Sequence, residues 1–290
     1  MSACVSDRSE ETSKLHVVAT TGMLYDALLN IGGDSLHADY IMGPGVDPHL
    51  YKATQGDLQK VKNADLVIYN GLYLEGKMTD ILKKLGQQKP VKAVAEAIPP
   101  GQLMVQTGSA GTIDPHVWFD VSLWKKVVMQ IAAALQEVDP GNSAFYEGNL
   151  QSYLTKLDDL DKLVRDQLSE IPTQQRVLIT AHDAFGYFGN AYGIRVEAVQ
   201  GMSTVADFGL KDIAELIDLI ISNNVKAVFM ETSVSDRSIK AVIAGCREKG
   251  HEVNMGGSLY SDAMGAPGTA EGTYIGMFQK NVETMVSALK

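Results

Sequence analysis

The sequence predicts an α/β protein: parallel sheets in two βα halves, joined by one long helix. Three observations lead there. Apolar strand-like runs recur in the first part of the chain, each followed by a helix-like pattern. The same alternation returns in the second part, and an unusually long helical periodicity separates the two. Continuous apolar strands alternating with helices belong to parallel sheets covered on both faces.

Leu15-His16-Val17-Val18-Ala19-Thr20 is the first strand run, Asp65-Leu66-Val67-Ile68-Tyr69-Asn70 a later one, and Val91-Lys92-Ala93-Val94 a third. Asp120 is placed as the N-cap of a helix entered through Ser122-Leu123-Trp124. From Pro140 to Ile171 the apolar positions Phe145, Leu150, Tyr153, Leu154, Leu157, Leu160, Val164 and Leu168 keep helical spacing, with Pro-Gly-Asn opening the segment and Pro172 closing it. Some 28 helical residues make a rod of about 42 Å, long enough to run down both halves and tie them together; the plainer alternative is an ordinary long surface helix of a single domain. Arg176–Ala181 and Lys226–Met230 are the second half's strands, and Ile239, Val242, Ile243 and Cys246 mark a buried helix face with an inert thiol. Gly108-Ser109-Ala110-Gly111-Thr112 reads as a loop.

With 290 residues, 45% hydrophobic and 21% charged, the chain has the composition of an ordered globular protein. Its formal net charge of −10 disfavours a nucleic-acid partner, which would need dense Lys and Arg, and no nucleic acid is expected. No apolar run reaches the roughly 20 residues of a membrane span, and no complete signal peptide is read. Met1-Ser2-Ala3-Cys4 resembles the trimmed end of a lipoprotein signal, with Cys4 lipidated and a polar tether behind it; the plainer alternative is a cloning scar on a disordered terminus.

Four segments each offer one metal-type ligand: Asp47-Pro48-His49, Asp114-Pro115-His116, Ala181-His182-Asp183 and Ser261-Asp262. Three of the six histidines stand in these contexts. Proline stiffens the turn on which His49 and His116 sit, and Asp47 is placed to orient an imidazole through its second nitrogen. The bulky Val117-Trp118-Phe119 beside His116 dries its surroundings. His182 ends a buried strand, where ligands bind in open α/β sheets. Asp262 alone is weak, since aspartate in a Gly-rich loop usually makes a local turn. Three imidazoles and a carboxylate suit one Zn(II) ion, or Mn(II) if the carboxylate binds through both oxygens, and intrinsic affinity favours zinc. His16, His37 and His251 are poorer candidates, and the 12 methionines are scattered core residues.

These stretches, with Gly43-Pro44-Gly45-Val46 before the first, Ala64–Leu72, and Ala184-Phe185-Gly186-Tyr187-Phe188 after the third, resemble the TroA-like solute-binding proteins (cluster A-I, or cluster 9) of bacterial zinc and manganese ABC importers. The resemblance runs from about Leu15 to Lys290. It implies two βα lobes joined by one backbone helix, with the metal between them, held by His49 and His116 from the first lobe and His182 and Asp262 from the second. It also implies an extracytoplasmic protein, periplasmic or lipid-anchored through Cys4, that delivers its ion to an ABC permease. The corresponding division is a flexible tether over 1–14, metal-binding lobes over 15–138 and 173–290, and a linking helix over 139–172; a monomer is expected. Surface lipoproteins of this family have also been described as adhesins. Three departures stand out. No His-rich insertion lies between His49 and His116; His182 stands where some manganese-specific members have Glu; and Tyr73 stands where relatives often have His.

Two other readings compete. A zinc hydrolase, with Glu231 as general base, needs an open coordination position that four protein ligands would close, and a structural role suits Glu231 better. A siderophore- or cobalamin-binding protein of the same architecture needs a wide aromatic or Arg-lined cleft and has no use for three histidines.

Overall fold

The computed structural model describes residues 14–105, 111–205 and 209–290. Cys4, the tether up to residue 13, and Gly108-Ser109-Ala110 of the expected loop lie outside the described residues. Among the described residues, no helix is long and apolar enough to cross a membrane.

The first half alternates strictly: β1 (Leu15–Thr21), α1 (Gly22–Gly32), β2 (Leu36–Met42), α2 (Gln55–Asn63), β3 (Leu66–Tyr69), α3 (Met78–Leu85) and β4 (Val91–Ala93). Its four strands form one parallel sheet in the order β2-β1-β3-β4. β1 and β3 lie in the middle, and nearly all their residues are buried. This is why they read as continuous apolar runs. The edge strand β2, Leu-His-Ala-Asp-Tyr-Ile-Met, keeps most of its residues partly exposed and carries no such signal.

Two helices follow, α4 (Val121–Val138) and α5 (Ser143–Leu168). The Asp120 side chain caps α4 by accepting the Ser122 and Leu123 amides, as expected. At 26 residues, α5 is slightly shorter than expected because Pro140–Asn142 forms a separate 3-10 turn. It buries Tyr146, Leu150, Tyr153, Leu157, Leu160, Val164 and Leu168 along one stripe. The helix fastens both halves. Tyr153 donates to Asp26 on α1 and Asn149 to the Ile31 carbonyl, whereas Arg165 donates to the Ala191 carbonyl of the second half.

The second half contains β5 (Val177–His182), α6 (Gly186–Tyr192), β6 (Arg195–Gln200), α7 (Leu210–Ser222), β7 (Ala227–Glu231), α8 (Arg237–Glu248), β8 (Asn254–Leu259) and α9 (Tyr274–Leu289). Its strands pair in parallel as β5-β6 and β7-β8. Cys246 is a free thiol buried on α8, in the core with Ile179, Ile220, Val228 and Val242.

A larger core runs unbroken from Val17 in β1, through Leu157 in α5, to Phe229 and Phe278 in the second half. Its centre is an aromatic seam across the halves, with the Phe119 ring 4.3 Å from that of Phe185 and 6.2 Å from that of Phe278. Exposing each of these side chains would cost about 1.5–3 kcal/mol, so the seam opposes wide splaying of the halves. It leaves the loops beyond the strand ends facing one another across a narrow cleft.

Candidate metal centre

Both Asp-Pro-His segments fold by one local rule. Each aspartate accepts the backbone N–H of the histidine two residues on, Asp47 from His49 at 2.8 Å and Asp114 from His116 at 2.9 Å. This is an Asx turn, and the intervening proline fixes the remaining freedom. Behind the first segment, Gly76 (φ +47°) packs so tightly that a Cβ there would lie 2.5 Å from the His49 carbonyl oxygen. The two aspartates differ in their other contacts. Asp114 meets His116 Nδ1 at 2.7 Å. Asp47 does not orient an imidazole, contrary to the sequence expectation: its second oxygen accepts from the Thr204 hydroxyl at 2.5 Å, across the cleft.

His182 is the last residue of β5, and Asp262 follows β8 in a loop tied down from two sides. Asn281 of α9 brackets the backbone of Tyr260, and the Trp118 indole donates to the Ser261 carbonyl at 3.1 Å. The last bond couples the loop of His116 directly to the loop of Asp262.

The four sequence candidates come together. His49, His116, His182 and Asp262 are 5%, 0%, 0% and 2% exposed, and one ligand atom from each lies within 4.8 Å of all the others. Asp262 Oδ2 is 3.5 Å from His49 Nε2 and 3.3 Å from His182 Nε2, and Oδ1 is 3.3 Å from His116 Nε2. His49 and His116 are 3.3 Å apart through their Nε2 atoms. Bonds of about 2.0–2.1 Å to a tetrahedral ion set neighbouring ligand atoms about 3.3–3.4 Å apart. Both Asp262 oxygens, both His182 ring nitrogens and Glu231 Oε2 are buried without a well-formed hydrogen bond; at the Asp262 oxygens and His182 Nε2 this is a costly arrangement unless a further group occupies the focus.

Behind the cluster, carboxylates face the outer nitrogens of His116 and His182. Glu231 Oε2 lies 2.5 Å from His182 Nδ1 while Oε1 accepts the His182 backbone N–H at 2.8 Å. Carboxylates in this position leave Nε2 free to bind a cation. The sequence named Glu231 as a base for a rival chemistry and preferred a structural role without a partner; its place at the end of β7, beside β5, is the signal for its contact with His182.

The electrostatics divide the imidazoles. Burial lowers the pKa of His49 to about 3, outweighing the attraction of Asp262. Burial also disfavours the His116 cation, but Asp262 and Asp114 overcome it and raise the pKa to about 9. For His182, Glu231 and Asp262 similarly outweigh burial and hold the ring well above the usual imidazole range. Burial favours the neutral acid at Asp262, yet His182 and His116 hold its carboxyl well below the usual range. Without metal, protons supply the positive charge that the focus demands. His49, the most exposed of the four, also lines a cavity of about 810 Å³ walled by Tyr73 and Ile98 from one half and Met202 and Val205 from the other.

A family model described as ZnuA, zinc-uptake complex component A, periplasmic, matches residues 17–288. The manganese-binding lipoprotein MntA of Bacillus subtilis (strain 168) is 50% identical over 292 residues, spanning 100% of this chain and 95% of that protein. The zinc-binding protein TroA of Treponema pallidum (strain Nichols) is 44% identical over 94% of this chain and 88% of its own length. The solved structure of the periplasmic zinc-binding protein TroA from Treponema pallidum superposes with a TM-score of 0.93, covering 96% of this chain and 99% of that one.

Proposed function

The chain belongs to the ZnuA family of zinc-uptake components, and from that membership we propose that it captures a single Zn(II) or Mn(II) ion outside the cytoplasm and delivers it to an ABC importer. His49, His116, His182 and Asp262 hold the ion in this reading. The observation that carries it is the convergence of these four buried side chains at spacings close to the edges of a metal-centred tetrahedron. The ion is cargo: four protein ligands leave no coordination position for a reacting substrate, so the protein binds and releases without catalysis. The gap between the ligand atoms admits one ion, which disfavours a siderophore or cobalamin as the occupant.

The partner is the permease of that importer. The protein works as a monomer, with lobes over 15–138 and 173–290 about the link at 139–172, and is anchored through a lipid on Cys4, in keeping with the lipoprotein name of its Bacillus subtilis relative. Isothermal titration of chelator-stripped protein with Zn(II) and with Mn(II) tests the central claim. One ion should bind and be lost on His116→Ala or Asp262→Ala; failure of the unaltered protein to bind either metal would overturn it.

A further inference from the structure

At the opposite end of the first sheet, two histidines that look unremarkable in sequence become neighbours. In the parallel register of β1 and β2, His16 pairs with His37 and Val18 with Asp39. A period of two in each strand puts His16, His37 and Asp39 on one face. The two rings lie 4.9 Å apart at 33°, and His16 Nε2 is 3.3 Å from Asp39 Oδ2. One ligand atom from each of the three lies within 4.8 Å of the others. Unlike the buried centre, this cluster is open: His37 is exposed, and the side chains of His16 and Asp39 keep 24% and 37% exposure. Lys60 Nζ stands 3.6 Å from Asp39 Oδ1, leaving Oδ2 toward His16.

We propose that His16, His37 and Asp39 form a second, surface site for a divalent transition ion, with water completing the coordination. Two imidazoles and one carboxylate are a three-ligand set of the kind that binds Zn(II) and leaves a position for solvent. The strands supply the preorganisation, because both histidines are held by backbone pairing and not by a loop. Solvent exposure and the nearby Lys60 ammonium weaken the site relative to the buried one. Its two nitrogens bias it toward zinc over manganese, which such donors bind least well among the first-row ions. Ions held here remain exchangeable, on a face of the first lobe away from the cleft.

Equilibrium dialysis of the chelator-stripped full chain against zinc chloride, with bound metal counted by elemental analysis, tests the proposal. The unaltered protein should take up a tight equivalent and then a second, weaker one. His37→Gln and Asp39→Asn, both at partly or fully exposed positions, should each abolish the second equivalent and keep the first. Saturation at a single equivalent, or a second equivalent that survives both substitutions, would overturn it.

Discussion

Glu231 holds His182 from two directions, with one carboxylate oxygen 2.5 Å from the ring Nδ1 and the other accepting the backbone N–H at 2.8 Å. The carboxylate thus sets both the position of the strand end and the facing of the imidazole. Glu231→Gln keeps the shape but removes the charge that makes Nε2 a better donor. Metal affinity should fall about 10–100-fold, the usual cost of losing such a partner. Titration calorimetry on the variant measures this directly, and unchanged affinity would reduce Glu231 to a packing residue.

Proton release should accompany binding. His116, with a pKa raised to about 9, and His182, raised well above the ordinary range, are cationic in the metal-free protein near neutral pH. An ion can coordinate only their deprotonated nitrogens, so about two protons leave as it binds. Affinity should therefore rise as pH increases toward 9. The metal-free protein should show the opposite sign. The raised pKa values of His116 and His182 contribute stability that is fully present below the unfolded imidazole value of about 6.5 and is lost as pH rises through the folded values. Calorimetry in buffers of different ionisation enthalpy counts the protons; a count near zero at neutral pH would refute this charge assignment.

Thr204 and Asp47 bridge the cleft through one hydrogen bond of 2.5 Å, 157 positions apart in the chain. Because Asp47 also shapes the turn carrying His49, the bond ties that turn to the second lobe. Thr204→Val preserves volume and deletes the donor. A hydrogen bond to a charged group contributes about 1.5–3 kcal/mol, so metal release should accelerate about 10-fold or more. Stopped-flow release into a chelator reports the rate, and an unaltered rate would remove the latch from the account.

These contacts show which parts of the molecule can be read from residue order. β1, β3, β5 and β7 are legible because burial on both faces leaves their sequences almost wholly apolar, whereas β2, β6 and β8 carry His37, Asp39, Arg195, Glu197 and paired glycines that break the pattern. The four candidate ligands are legible because each occupies a distinctive local setting: a stiff Asp-Pro turn, a strand end, or a Gly-rich loop. The different outer contacts of Asp47 and Asp114 are not. Their local sequences match, and only the distant Thr204 separates their roles. The proximity of His16 and His37 is likewise a consequence of sheet register, which neither strand contains by itself.

The same register of charges predicts how the metal preference can be moved. Replacing His182 with Glu exchanges a nitrogen donor for a harder oxygen, which narrows the advantage of zinc over manganese. Yet Glu231 already faces that side chain at 2.5 Å, with both groups fully buried. Two carboxylates so placed cannot both ionise, and one must take up a proton or move away. His182→Glu alone should therefore bind either metal poorly. The double variant His182→Glu/Glu231→Gln removes the conflict, since an amide can donate to the new carboxylate. Binding should return, with the zinc-to-manganese affinity ratio below that of the parent in competition titrations. If the single variant binds as tightly as the double, Glu231 does not restrict the third ligand position.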